Sequence, residues 1–174
     1  MVGNKEKLFN SWLDSYKNLI FKVVNTYAVS TEDQDDLFQE ILLQLWSSIP
    51  NFRGNAKETT WIYRVALNTA LVWKRSEKRK RKRFRTELLK VQNSRRAKNN
   101  NESSNHKLVL EQVYSSIRKL SKPESSIILL YLDGLSYDEM ADVLGISKTN
   151  VGVRLNRAKK NLAQLMKGLI DDLR

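Results

Sequence analysis

Apolar residues at Leu8, Phe9, Trp12, Leu13, Tyr16, Leu19, Ile20, Val23, Val24 and Tyr27 recur at steps of three and four. That spacing predicts an amphipathic core helix. Thr31 and Gln34 then have capping-box spacing, and Leu37, Phe38, Ile41, Leu42, Leu45, Trp46 and Ile49 carry a second helical stripe as far as Pro50. After the loop NFRGN, Asn55 with Glu58 offers a start for a third helix through Val72 or Trp73. On that helix positions 61, 64, 68, 71 and 75 share one face, while Ile62, Val65, Ala66, Thr69 and Val72 occupy another. An indole, a guanidinium and a carboxamide, Trp61, Arg64 and Asn68, thus stand in a row.

The pattern breaks at Lys74. KRSEKRKRKRFR holds nine basic residues in twelve, either a continuation of the third helix or a solvated segment, and the polar stretch NSRRAKNNNESSNHK behind it reads as a tether. Helical periodicity returns at Leu108, with Leu110, Val113, Ile117 and Leu120 in a helix ending before SKPE. Ser121 and Glu124, with Pro123 between them, start the next helix, which runs to the turn at Asp133-Gly134. In LSYDEMADVLGISKTNVGVRLNRAKKNLAQL, Ser136 and Glu139 cap a short helix, Gly145 makes a sharp turn and Ser147 caps a longer helix. This is a helix-turn-helix pattern. Val151, Leu155, Ala158, Leu162 and Leu165 form the inward stripe of its second helix. Thr149, Val153, Asn156 and Lys160 are left outward, flanked by Lys148, Gly152 and Arg157, where they can reach base edges and phosphates.

No stretch alternates at period two, so the expected fold is all-α. It consists of two small helical domains joined by a flexible linker, the second a four-helix, winged-helix-like helix-turn-helix domain. The expected boundaries are residues 1–80, a basic and polar linker over 81–107, and residues 108–174. Charge sharpens this division. The chain of 174 residues has a formal net charge of +12. Residues 1–60 carry 6 Lys/Arg against 8 Asp/Glu, whereas residues 61–174 carry 25 against 11. A positive excess confined to the later part favours a polyanion, and nucleic acid above all, through counterion release. With no cysteine and one histidine, His106, neither a disulfide nor a zinc or thiol site is expected, and no cofactor is implied. No apolar run reaches the ~20 residues of a membrane span, and the N-terminus lacks the apolar core of a signal peptide, so a cytosolic location is expected.

DDLFQEILLQLW, FRGNAKETTWIYRVALNTA, and LSYDEMADVLGIS followed by RLNRAKKNL together resemble an extracytoplasmic-function sigma factor of bacterial RNA polymerase. The likeness covers nearly the whole chain, with its three segments in the family's order. It implies that Asp36, Gln39, Glu40 and Leu43 meet the coiled coil of the polymerase's largest subunit, and that the flap of the second-largest subunit is a further contact. It implies that the helix from Trp61 to Arg75 lies on the promoter −10 element. Asn68 would read a base edge there, Arg64 would position the backbone and Trp61 would stack where the duplex opens. Phe52, Arg53, Gly54 and Asn55 resemble the loop that captures a flipped base. Lys148, Thr149, Gly152, Val153, Asn156, Arg157 and Lys160 would face the −35 element. The resemblance further implies a separate anti-sigma inhibitor, a bacterial cytoplasmic setting and no small-molecule substrate.

Two promoter elements about two turns of duplex apart are separated by roughly 70 Å. A tether of about 30 residues spans roughly 100 Å when extended. Two departures from the family pattern stand out. Trp61 is followed by Ile62 where longer relatives place a second aromatic, and Gly152-Val153 occupies recognition-helix positions that many members give to a basic and a small polar residue. A free-standing helix-turn-helix regulator would account for the second half but leave DDLFQEILLQLW and TTWIYRVALNTA without a role. An enzyme finds no support, since the chain has no glycine-rich phosphate loop and no activated nucleophile.

Overall fold

The computed structural model describes the backbone of residues 2–88 and 105–171, and the side chains of residues 4–80 and 109–167. The tether expected between the halves therefore falls largely outside the described residues. Seven α-helices account for the architecture, with no strand among the described residues: α1 (Val2–Tyr27), α2 (Thr31–Ser48), α3 (Glu58–Leu88), α4 (Asn105–Lys119), α5 (Lys122–Leu132), α6 (Tyr137–Leu144) and α7 (Lys148–Asp171).

The first half is a three-helix unit in which α1, α2 and α3 all pack on one another. Trp12, Ile20, Val23 and Val24 of α1 meet Leu37, Ile41 and Leu45 of α2 and Ile62, Ala66 and Ala70 of α3, each at most 1% exposed. Burying each valine, leucine or isoleucine among them contributes about 1.5–3 kcal/mol. The buried face of α3 also takes in Tyr63 and Leu67, while Val72, grouped with the apolar face in the sequence reading, is 61% exposed. In the second half α7 packs on α4, α5 and α6. Ile127, Ile128 and Leu130 of α5 there enclose Met140, Val151, Leu155 and Ala158.

Several helix ends follow the sequence chemistry. The Ser121 amide donates to the Glu124 carboxylate at 3.1 Å and the Ser136 amide to that of Glu139 at 2.8 Å. Gly145 adopts φ 65°, the left-handed conformation that closes α6 and starts the turn into α7. Two starts differ from expectation. Ser30, one residue before Thr31, caps α2 by accepting from the Asp33 amide at 3.1 Å, because Ser30 already has the extended backbone of a cap. At α3 the Trp61 amide donates to the Lys57 carbonyl at 3.1 Å, so the helix starts after Lys57 and Asn55 stands outside it.

The third helix also runs past Val72 and Trp73 to Leu88 as one element. Lys and Arg have good helix propensity, no Gly or Pro interrupts the run, and Lys80 pairs with Glu77 at 2.7 Å across one turn. Charge density alone does not break a helix whose side chains reach water.

The halves are packed together. The α1 helix lies against α4 and α5, and α3 lies against α6. Tyr27, 3% exposed, places its hydroxyl 2.7 Å from Ser126 Oγ. Either hydroxyl can donate in this pair, since both also reach the Lys122 carbonyl, Ser126 at 3.0 Å and Tyr27 at 3.5 Å. Burial pushes the Tyr27 phenol up to about 12, although the Ser126 hydrogen bond works the other way. At the same seam Lys22 and Tyr63 both donate to the Asp133 carboxylate. The Tyr63 phenol is raised far above its ordinary range, first by burial and then by that carboxylate.

Candidate nucleic-acid interface

The α7 helix separates its two faces as its apolar spacing requires. Val151, Leu155 and Ala158 are fully buried, Leu162 and Leu165 are half-buried, and Lys148, Thr149, Val153, Asn156, Arg157 and Lys160 are exposed. Ser147 accepts from the Asn150 amide at 3.3 Å and so fixes the start of the helix. Gly152 has a helical backbone, and a Cβ placed there would lie 3.6 Å from the Tyr137 ring, an ordinary contact. No steric demand requires glycine at this position. Gly152→Ala should therefore raise stability by about 1 kcal/mol in denaturant unfolding. Of the surrounding cations, Lys148 Nζ donates to the Asp138 carboxylate at 2.8 Å and Arg157 lies 3.9 Å from that of Glu124.

The proposed −10 residues on α3 are spread over different surroundings. Trp61 is half-buried; its Nε1 donates to Ser48 Oγ at 3.1 Å and its ring meets Phe52 at 5.6 Å between centroids. Phe52 in turn packs edge-on against buried Trp12 at 5.3 Å. Among the described residues the Trp12 Nε1 has no hydrogen-bond partner. Arg53, Gly54 and Asn55 are exposed, and Gly54 adopts φ 73°. Phe52 and Trp61 thus serve the core and the loop together. Asn68 and Arg75 are exposed, whereas the Arg64 guanidinium donates to the Asp142 carbonyl of α6 at 2.5 Å.

Between α2 and α3 runs a groove lined by Asp36, Gln39, Glu40 and Leu43 on one side and Asn68, Thr69, Val72 and Trp73 on the other. Leu43 and Val72 are each 61% exposed. Asn68 therefore opens onto the same groove as the four α2 residues expected to meet polymerase. Val72 is an addition that periodicity assigned to a different face, and its 3.6-residue phase relative to Asn68 was the signal available.

The seam residues had no signal in the sequence. Lys22 and Asp133 are 111 positions apart and Tyr63 and Asp133 are 70 apart, so neither pair lies within one helical motif. A further tie runs from Lys57 to Glu139 at 2.7 Å. Lys57, then the Ser136 amide and hydroxyl, hold the Glu139 carboxyl down at about 2, below its ordinary 4.5. A carboxyl depressed by folding contributes stability above its unfolded value and loses it as pH falls through its folded value. Acid titration of the wild type should therefore show a stability loss between about pH 4.5 and 2 that is reduced in Glu139→Gln, followed by circular dichroism.

Among the described residues no group of three or more His, Cys, Asp or Glu is placed to hold a metal ion, and no helix is long and apolar enough to cross a membrane. Residues 12–80 match the family described as Sigma-70 region 2, and residues 110–162 match Sigma-70, region 4. The chain belongs to the extracytoplasmic-function group of the sigma-70 family. This sigma factor is 28% identical over 172 residues to the ECF RNA polymerase sigma-E factor of Escherichia coli strain K12, covering 95% of the chain and 90% of that relative. The corresponding factor of Haemophilus influenzae is 29% identical over 175 residues, at 97% and 92% coverage. Two solved structures share its fold at 22% identity. CnrH in complex with the cytosolic domain of CnrY gives a TM-score of 0.67 over 94% of this chain and 90% of that one. The sigma factor RpoE in complex with the anti-sigma factor NepR from Bartonella quintana gives 0.69 over 92% and 98%. The two family segments coincide with the two packed halves of the sigma factor, and the second contains its helix-turn-helix.

Proposed function

We propose that this sigma factor binds core RNA polymerase and directs it to promoters, reading a −10 and a −35 element and promoting strand opening. The observation that carries the reading is the order of its parts: a region 2 segment bearing an acidic α2 and a basic α3, then a region 4 segment whose α7 buries one face and leaves the other open. A stand-alone helix-turn-helix regulator has no use for the first of these.

The roles follow from surroundings. Asp36, Gln39, Glu40 and Leu43 present an acidic rim with an exposed leucine, suited to a basic and apolar protein surface and hostile to phosphate. They meet the coiled coil of the largest polymerase subunit, while region 4 meets the flap of the second-largest. Arg53, Gly54 and Asn55 with the rings of Phe52 and Trp61 hold an unstacked base. Arg64, Asn68 and Arg75 follow the −10 duplex along α3. Lys148, Thr149, Gly152, Val153, Asn156, Arg157 and Lys160 face the −35 element. The factor catalyses no reaction of its own, acts in the bacterial cytoplasm and is held in check by an anti-sigma protein. The anti-sigma factor NepR bound in the RpoE structure supports this last point.

Supplying this chain as the only specificity subunit to core enzyme and mapping transcript starts tests the reading. Discrete starts sharing two spaced sequence elements are expected; starts no denser than with core enzyme alone would reject it. Within that assay, Asn68→Ala should lower initiation about tenfold and leave retention on polymerase within about twofold, the cost of one bidentate base contact. A parallel fall in retention would transfer Asn68 to the polymerase side of its groove.

A further inference from the structure

Exposed apolar side chains are scattered over any protein surface, but here two of them adjoin a single position in the helix-turn-helix. Val153 is 65% exposed, more than any other large apolar residue described, and Tyr137, which opens α6, is 37% exposed. Gly152 adjoins both. A Cβ placed there would meet only the Tyr137 ring within 4 Å beyond its immediate helical neighbours. Glycine and an outward β-branched valine are each disfavoured in a helix, the first by backbone entropy and the second by its restricted χ1. The fold requires neither, since Val153 buries little and nothing crowds Gly152. Residues that break local preference at an exposed site point to a contact outside the chain.

Groove chemistry narrows what that contact is. Thr149, Val153 and Asn156 are spaced by four and three residues, which puts them in one line on the exposed side of α7. The major groove offers donors and acceptors at every base pair, and its one apolar feature is the C5-methyl group of thymine. An isopropyl group pressed on a cytosine amine or a guanine oxygen would strip its water and return no hydrogen bond. On a thymine methyl it meets its own kind. Asn156, also exposed, can take both hydrogen bonds of an adenine edge. Positions 153 and 156 lie about 4.5 Å apart along the helix axis, so they face neighbouring base pairs, which stack about 3.4 Å apart.

We infer that this factor specifies its −35 element through a thymine methyl group seated on Val153, in the gap that Gly152 leaves beside the Tyr137 ring. The inference rests on the −35 reading of α7 given above and names the base it selects. With no side chain at 152 the helix backbone approaches the base edges closely, and a side chain as short as valine reaches them. The group recognised is the methyl itself, so 5-methylcytosine presents it at the same place in the groove.

The test uses holoenzyme assembled from the full chain and core polymerase, footprinted on a promoter located by its transcript starts. Each thymine of the protected upstream element is replaced in turn by uracil, which removes the methyl and keeps the pairing. At one position the replacement should weaken binding about fourfold, the worth of one buried carbon. Val153→Ala should bind the thymine duplex about threefold more weakly and respond to that uracil by less than about 1.5-fold. Asn156→Ala should also bind more weakly yet keep the full uracil effect, which separates loss of the methyl contact from general damage to α7. Cytosine at the same position should bind at least about twofold better in its 5-methyl form. Equal binding of uracil and thymine at every position, a uracil effect undiminished in Val153→Ala or lost equally in Asn156→Ala, or no gain from 5-methylcytosine overturns the inference and leaves the −35 reading standing. An upstream element without an A·T pair does the same. Absence of any protected upstream element rejects the −35 reading, and the inference with it.

Discussion

Leu43→Asp is expected to reduce retention on core RNA polymerase by about thirtyfold or more while leaving the unfolding midpoint of the isolated chain unchanged. Leu43 is 61% exposed on α2, so its side chain adds little to the buried core and its loss should alter stability by at most about 0.5 kcal/mol. Its surroundings in the groove give it weight in binding. An exposed apolar anchor ringed by polar groups is where interface energy concentrates, and a central truncation costs about 2 kcal/mol or more. A carboxylate adds the penalty of a charge buried without a partner. Pull-down and denaturant titration on the same preparation check the pair of outcomes. Equal retention of variant and wild type would remove Leu43 from the contact.

The second large effect comes from a leucine of opposite character. Leu155 is completely buried where α7 packs on its neighbours, and Leu155→Ala should cost about 2–5 kcal/mol by leaving a cavity that helices on three sides cannot close. Marginal domains seldom have that much to spare. Binding to −35 duplex is expected to collapse with the fold of the second half. Two residues away, Val153 is 65% exposed, and Val153→Ala should leave stability within about 0.5 kcal/mol. Urea unfolding of both variants separates the cases; a cost below about 1 kcal/mol for Leu155→Ala would mean that α7 is not packed as described.

These two residues also show what the sequence made legible. The inward stripe of α7 and the turn at Gly145 were readable because they obey local rules, a 3.6-residue period and a left-handed cap. The acidic face of α2 was readable from charge. The end of α3 was harder to read: apolar periodicity stops at Trp73, yet lysine and arginine favour the helix once solvated and it runs on to Leu88. Trp61 illustrates a different limit. Its place on the face was correct, but its indole N–H is held by Ser48 and its ring by Phe52, partners contributed by the end of α2 and the following loop. The seam was invisible altogether. Lys22, Tyr63 and Asp133 are ordinary residues at their own positions and gain their meaning only from tertiary packing between segments 70 and 111 positions apart.

Because α3 continues unbroken from Glu58 to Leu88, the angular phase of each residue's backbone along it is set by the ones before. Inserting one alanine after Trp73 would rotate everything beyond it by about 100° and advance it by about 1.5 Å, with no charge gained or lost. An inserted stretch of seven would restore the heading almost fully while shifting the basic end outward by about 10 Å. If those cations work by pointing in a particular direction, activity should return with the seventh residue and be missing with the first.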